Sequence, residues 1–312
     1  MAETTMALPD AAQATVPCNL CGSPRFEVVL PALAAVDQTL SERYRSSSDD
    51  VCRDQVVRCL DCDLVYINPR PPLEAIHQGY AEAVDETYVS QAEGRLHAFR
   101  RIARQISALR PPAGGRLLDV GAAAGFFLVA AREQGWKVEG IELSSWLSAW
   151  AKQKFDLTIH TEPLAAGQFP PGHFDVVTMF DVLEHVEDPR TTVRTVREAL
   201  KDDGLFVLSY PDWGSIFARV LGRRWWFLLS VHLYYFTRKT IRRLLEENGF
   251  EVIRMQRLYP SLQIGYLFER LEPYSPLVGR TLKSAARLLG VHDRSIPYYA
   301  SQTLVFTRPK AE

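Results

Sequence analysis

The 312-residue chain has no surplus of charge of either sign: 36 Lys and Arg stand against 37 Asp and Glu, a formal net charge of −1. That balance argues against a protein built mainly to bind nucleic acid, which needs a basic surplus. Long apolar runs are missing as well; none reaches the roughly 18 residues of a membrane-spanning helix. Residues 1–16 have no basic n-region and no apolar centre, so they do not read as a signal peptide and are expected to form a disordered leader. Cysteine is scarce, with five in all, and every one lies within residues 17–72. The expected compartment is the cytoplasm, where thiols stay reduced. No internal repeat and no G-x-G-x-x-G dinucleotide fingerprint occur. What remains is ordinary for a globular protein: 47% hydrophobic and 23% charged residues.

The cysteine-bearing stretch 17–72 reads as a small module closed by Pro69, Pro71 and Pro72. Residues 73–110 carry Leu96, Phe99, Ile102, Ile106 and Leu109 at helical spacing. After the breaker Pro111–Gly115, strand and helix patterns alternate. Strands are expected at 116–120, 137–142, 157–160, 174–180 and 204–210, with helices at 125–134, 145–154 and 189–200. Short connections between them imply a mostly parallel sheet covered on both faces. An aromatic, basic segment, 213–236, follows. A helix at 238–248 comes next, stopped at Asn248-Gly249, then a strand at 250–257, apolar helices within 261–290, and a last strand at 299–307.

The most telling stretch is 116–128, RLLDVGAAAGFFL. A buried strand ends in Asp119-Val120-Gly121, turns through small residues to Gly125 and starts a helix. Small residues let a ligand approach the backbone, and the helix start offers it free N–H groups. The next strand ends in Glu142, 21 positions after Gly121, where a carboxylate can accept hydrogen bonds from ribose hydroxyls. Further on stand Phe174-Asp-Val-Val and Asp181-Val-Leu-Glu184-His185-Val-Glu-Asp188-Pro189.

In this order, D-x-G-x-x-x-G, an acidic second-strand end and FDVV…D-x-L-E-H-x-x-D-P resemble the class I S-adenosylmethionine-dependent methyltransferases, closest to the ubiquinone-biosynthesis O-methyltransferase branch. The resemblance covers about residues 95–257 plus the last strand, and it implies a Rossmann-like seven-stranded α/β sheet. It also implies that Asp119, Gly121 and Gly125 hold the methionine part of the cofactor. Glu142 would bind the ribose, Thr161 or Glu162 would lie near the adenine, and Phe180 and Asp181 would border the reactive side. The usual central turn glycine is Ala123 here, which serves if its φ is negative.

Cys18-x-x-Cys21 and Cys59-x-x-Cys62 are two pairs separated by 37 residues. Each can place two thiolates on one metal, and four close a tetrahedron, so the expected ion is a structural Zn2+. Gly22 and Asp63 stand where a knuckle turn needs a permissive residue. A strand pair or loop is expected to fill the gap. The module resembles the zinc ribbons found on some methyltransferases for sugars and related small molecules. A redox pair would be expected inside a βαβ unit, and neither pair is. Cys52 is left over as a spare thiol.

Between Trp213 and Leu245 stand seven basic residues, Arg223 and Arg224 among them, and no acidic one. Trp213, Trp225, Tyr234 and Tyr235 lie there too. The segment follows the fifth strand, outside the carboxyl ends of the strands, where substrates bind. Such a lid suits an anionic or lipid-linked acceptor; a solvated basic face is the plainer alternative. Trp225-Trp226-Phe-Leu-Leu also has the composition of a segment that dips into a membrane interface. Methyl transfer to a hydroxyl needs a base, and His185, His232 and Asp181 are the candidates. The expectation is methylation of a small-metabolite hydroxyl, in a sugar or glycan precursor. C-methylation of a nucleotide-linked keto sugar and a non-catalytic zinc-ribbon adaptor stay open beside it. Oligomeric state is not legible.

Overall fold

The computed structural model describes residues 13–34, 51–70, 73–269, 271–272 and 275–311. Of the expected leader, residues 1–12 lie outside these, while Ala14 forms a β-bridge with Arg70.

A four-stranded antiparallel sheet comes first, from β1 (Phe26–Leu30), β2 (Val56–Cys59) and β3 (Val65–Ile67). Its fourth strand arrives from far along the chain. The expected order of the large sheet supplies β4 (Arg116–Val120), β5 (Lys137–Ile141), β6 (Ile159–His160), β7 (Phe174–Phe180) and β8 (Leu200–Pro211). Then β9 (Tyr234–Tyr235) leaves the large sheet and pairs with β3, Val65 opposite Tyr235 and Tyr66 opposite Tyr234. The chain returns through β10 (Phe250–Arg257), makes a hairpin from β11 (Ser261–Gln263) and β12 (Ser295–Pro297), and ends in β13 (Gln302–Pro309).

The large sheet has seven strands in the order β10-β13-β8-β7-β4-β5-β6. β13 runs antiparallel to both neighbours and the other pairs are parallel. Its central strand β7 is buried from Phe174 to Met179, with Val176, Val177 and Met179 in the core and the polar Asp175 and Thr178 satisfied by hydrogen bonds. Helices α1 (Leu73–Ala81), α2 (Glu86–Ser90) and α3 (Ala92–Leu109) precede the sheet. One continuous helical stretch over 73–110 is therefore not what forms. Asp85 accepts a bond from the Tyr88 N–H at 2.8 Å, and this cap restarts the chain after α1.

Helices α4 (Phe126–Glu133), α5 (Ser145–Phe155), α6 (Pro189–Ala199), α7 (Ile216–Leu221) and α8 (Arg238–Glu247) cover the sheet and its edges. Their starts are locally encoded. Ser144 caps α5, Asp188 caps α6 with Pro189 in its first turn, and Thr237 with Thr240 makes a capping box on α8. On one face Ile102 and Ile106 of α3 and Phe127 and Leu128 of α4 pack against Val176, Val207 and Phe306. On the other, Val193, Val196, Ile241 and Leu245 pack against Phe206 and Phe250. That second cluster runs without a break into Cys18, Cys59, Tyr66 and Tyr234, so the small sheet shares the core of the large one. The 261–290 stretch holds α9 (Ile264–Glu269) and α10 (Pro276–Leu288) but opens as the strand β11.

Candidate active site and cysteine cluster

The turn after β4 lies at the carboxyl end of the parallel strands. Gly121 and Gly125 both adopt φ +75°. A Cβ on Gly121 would stand 2.3 Å from the Val182 side chain, and one on Gly125 2.4 Å from Leu157, so both positions require glycine twice over. Ala123 has φ +45°. The expectation of a negative φ there is overturned. The left-handed turn is held instead by Glu142, whose Oε2 accepts the Ala123 N–H at 2.8 Å while its Oε1 accepts the Ser144 N–H at 2.8 Å. Helix α4 has no side-chain cap, which leaves its first N–H groups available to a ligand.

Asp119 is buried and accepts a bond from Thr178 Oγ1 at 2.6 Å. Burial pushes its carboxyl from the ordinary 3.8 up to about 7. Asp181, with φ +54°, accepts bonds from Ser209 and Gln302, and burial raises it to about 6. Among the described residues neither carboxylate has a salt-bridge partner, so the donor set fits a cationic ligand. Phe180 packs its ring on Phe127 and Phe99, with centroids 4.7 and 5.6 Å away. Thr161 and Glu162 are exposed beyond β6.

Two residues that the sequence did not single out join this end of the sheet. Tyr88 of α2 stacks on Phe126, and the Arg95 guanidinium of α3 lies 3.8 Å from the Tyr88 ring centroid. Arg95 also acts electrostatically on Asp181, and its buried Nε has no hydrogen-bond partner. No motif could have found them, because they sit in the helices before the first strand of the large sheet.

Beyond β7 the structure brings Glu184, His185 and His232 together, one ligand-type atom of each within 4.8 Å of the others. The two imidazoles stand 4.7 Å apart. His232 Nδ1 lies 2.8 Å from the Phe227 carbonyl, which can only accept, so Nδ1 carries the proton and Nε2 is left as the acceptor. His185 Nδ1 lies 2.7 Å from the Tyr80 hydroxyl and 3.1 Å from the Val231 carbonyl. Burial lowers His185 to about 4 and holds His232 well below its ordinary value, so both rings are neutral near pH 7. Glu184 is buried with neither carboxyl oxygen partnered, and burial with Asp181 nearby raises it well above the usual range. Its place in E-H was legible as a motif; its role beside His232 needs the return of the chain through β9.

The lid is not what its composition suggested. Trp225 and Leu228 are buried against Val56, Val65, Ile67 and Tyr235, and Trp225 Nε1 donates to Ser301 at 2.9 Å. They face the small sheet, where Ala218, Phe217 and Leu221 of α7 pack in the same cluster. Tyr234 and Tyr235 are each 1% exposed, bound in β9, with the Tyr234 hydroxyl donating to Glu187 O at 2.7 Å. Trp213 packs on Trp225 and Tyr235. Arg223 donates to the Pro31 carbonyl and Arg224 is exposed. Lys239 pairs with Asp63, and Arg242 and Arg243 pair along α8 with Glu246 and Glu247. Lys239, Arg242 and Arg243 thus belong to a solvated, paired surface.

In the small sheet, Cys18 and Cys62 place their Sγ atoms 3.4 Å apart and Cys21 and Cys59 place theirs 3.5 Å apart, all four within 4.8 Å of one another. A tetrahedron of thiolates at a Zn–S distance of about 2.3 Å has edges of about 3.8 Å, so the set fits zinc. Gly22 at φ +77° and Asp63 at φ +65° make the two permissive turns. In the absence of a cation, burial pushes the Cys21 thiol up to about 11. Cys52 lies apart, buried beside Trp225.

Residues 95–255 match a family described as "Methyltransferase domain". The chain belongs to this methyltransferase family. A ubiquinone biosynthesis O-methyltransferase of Albidiferax ferrireducens is 40% identical over 113 residues, 33% of this chain and 44% of that protein. The chain thus spans about half the length, or less, of the curated relatives it matches. Among solved structures, a SAM-dependent methyltransferase from Archaeoglobus fulgidus overlays with TM-score 0.50 at 15% identity, over 72% of this chain and 97% of that one. A chain of the complex between the Haloferax volcanii Trm112 methyltransferase activator and a methyltransferase gives 0.52 at 14%, over 73% and 96%. These two show the shared fold.

Proposed function

We propose that this methyltransferase methylates a hydroxyl of a small metabolite, with His232 as the base. Asp119, the 121–125 turn, Glu142, Phe180 and Asp181 would hold S-adenosylmethionine, with Arg95 added from α3. When bound, that cofactor supplies an electrophilic methyl group on a sulfonium. The observation that carries the reading is the bond from His232 Nδ1–H to the Phe227 carbonyl. It fixes the ring and leaves Nε2, in a water-poor cluster with Glu184, free to take a hydroxyl proton. Burial raises the Glu184 carboxyl well above its ordinary value, which disfavours a charge beside the ring.

The cysteine cluster is read as one structural zinc per chain, since four thiolates close the shell and leave no open position for chemistry. Residues 17–72 would be the zinc ribbon and 73–312 the methyltransferase domain, the likeness to O-methyltransferases supporting a hydroxyl acceptor. In acceptor-dependent assays, His232→Ala should lower kcat by about a hundredfold or more while the Kd for S-adenosylmethionine stays within about threefold. Full turnover in His232→Ala would remove His232 from the reaction and leave Asp181 or His185 as base.

A further inference from the structure

A cavity of about 490 Å3 opens between the first cysteine knuckle and the start of α6, away from the turn after β4. Three arginines line it: Arg70 from the end of the small sheet, Arg190 in the first turn of α6 and Arg194 one turn later. None has a carboxylate partner among the described residues. Arg70 is only 7% exposed. Its Nη atoms donate to the Glu187 carbonyl at 3.2 Å and the Tyr234 hydroxyl at 3.0 Å, and its Nε has no partner. A guanidinium so far from water without a counter-charge is costly unless an anion completes it. Arg190 stands in the first turn of α6, where a cation opposes the helix dipole and the Asp188 cap is the neighbouring acid. Arg194 Nε donates to Asn248 Oδ1 at 2.8 Å, which aims the guanidinium without neutralising it.

Two acids share the wall, Glu187 and Asp188. Glu187 is exposed and offers its backbone carbonyl inward. The Asp188 oxygens are taken by Asn19 Nδ2 at 2.8 Å, the Thr191 N–H at 3.0 Å and the Thr191 hydroxyl at 2.8 Å. Neither acid pairs with an arginine, so the three guanidiniums keep their donors free of carboxylate on a wall that also carries the Cys18 side of the thiolate cluster. Forked guanidinium donors at several angles match the oxygens of a phosphate or diphosphate.

We propose that this cavity is an anion site for a phosphate or diphosphate group, formed by Arg70, Arg190 and Arg194. It goes beyond the methyl-transfer reading and stands whatever the acceptor atom is. Glu187, whose carbonyl Arg70 grips, is two residues past His185, so the site adjoins the histidine pair along the chain.

The test is calorimetric titration of the metal-loaded full chain with inorganic pyrophosphate and, separately, with UDP. Pyrophosphate should bind with a Kd on the order of 10–100 µM, and Arg190→Ala and Arg194→Ala should each weaken it roughly tenfold. UDP binding more tightly than pyrophosphate would identify a nucleotide as the source of the group; equal or weaker binding would identify a simpler phosphoester, and both outcomes support the site. Arg224→Glu, on the exposed lid, should leave binding unchanged. No heat with either probe up to about 10 mM would overturn the proposal. So would equal weakening by Arg224→Glu, which marks general electrostatics. Zinc loss from Arg190→Ala without any pyrophosphate binding would also overturn it, by making the arginines counter-charges of the thiolate cluster.

Discussion

Asp119 is a carboxylate placed where burial works against its charge. Its folded value of about 7 lies above the ordinary 3.8. Between those values the folded protein keeps a proton that the unfolded chain releases. Asp119's contribution to stability is therefore fully present below about pH 4 and is lost as pH rises through 7. A bound cation reverses this, because the ammonium of the methionine moiety favours the ionised form. We expect the Kd for S-adenosylmethionine to fall as pH is raised from about 5.5 to 8, and the thermal shift it produces to grow over the same range. Asp119→Asn should flatten both trends and weaken binding by about tenfold. An unchanged pH dependence in Asp119→Asn would assign the trend to Asp181 or Glu142, which burial also raises.

At the scale of elements, most of the large sheet was legible because its strands are short apolar runs and its helices announce their starts. Strand 116–120 and strand 174–180 form with the expected bounds, and Asp188-Pro189 marks α6 as a cap and a first-turn proline do. What was not legible depends on partners far away in sequence. Tyr234-Tyr235 reads as aromatic lid and becomes a strand only because β3 offers it an edge. Ala123 can hold a left-handed turn only because Glu142 accepts its N–H. Ser261–Gln263 reads as helix and becomes a strand against β12. Gly94 in α3 belongs to the same class. A Cβ there would stand 2.8 Å from the Ser261 carbonyl oxygen, so α3 and β11 touch through it. Helix propensity alone makes Gly94→Ala stabilising by about 1 kcal/mol. Pushing a backbone aside costs about 1–3 kcal/mol, so the net change should be destabilising, read as a lower urea midpoint with an unchanged slope. A raised midpoint would show that the hairpin yields.

On the scale of the whole molecule, the cysteine cluster and the histidine pair belong to one mechanical unit. Cys59 and Cys62 of the thiol cluster flank the turn that opens β3, β3 holds β9, and β9 begins two residues after His232. The Ile67 N–H donates to the Leu233 carbonyl, and the Leu233 N–H donates to the Glu184 carbonyl at 2.8 Å, which closes the path to the end of β7. The turn after β4 lies outside this path, held by Glu142, Thr178 and Val182. Loss of zinc should thus act on the two halves of the reaction unequally. With a strong chelator, or in Cys59→Ser, bound zinc should fall from about one per chain toward none. The buried indole of Trp225, packed on β9, should then shift its fluorescence to the red, while S-adenosylmethionine binds within about threefold of its original Kd. Equal loss of cofactor binding would mean that the zinc supports the whole core, as the shared cluster from Cys59 to Phe206 allows. An unshifted indole in fully metal-free protein would mean that β9 stays paired through its own packing, and the cysteines would then have no part in positioning His232.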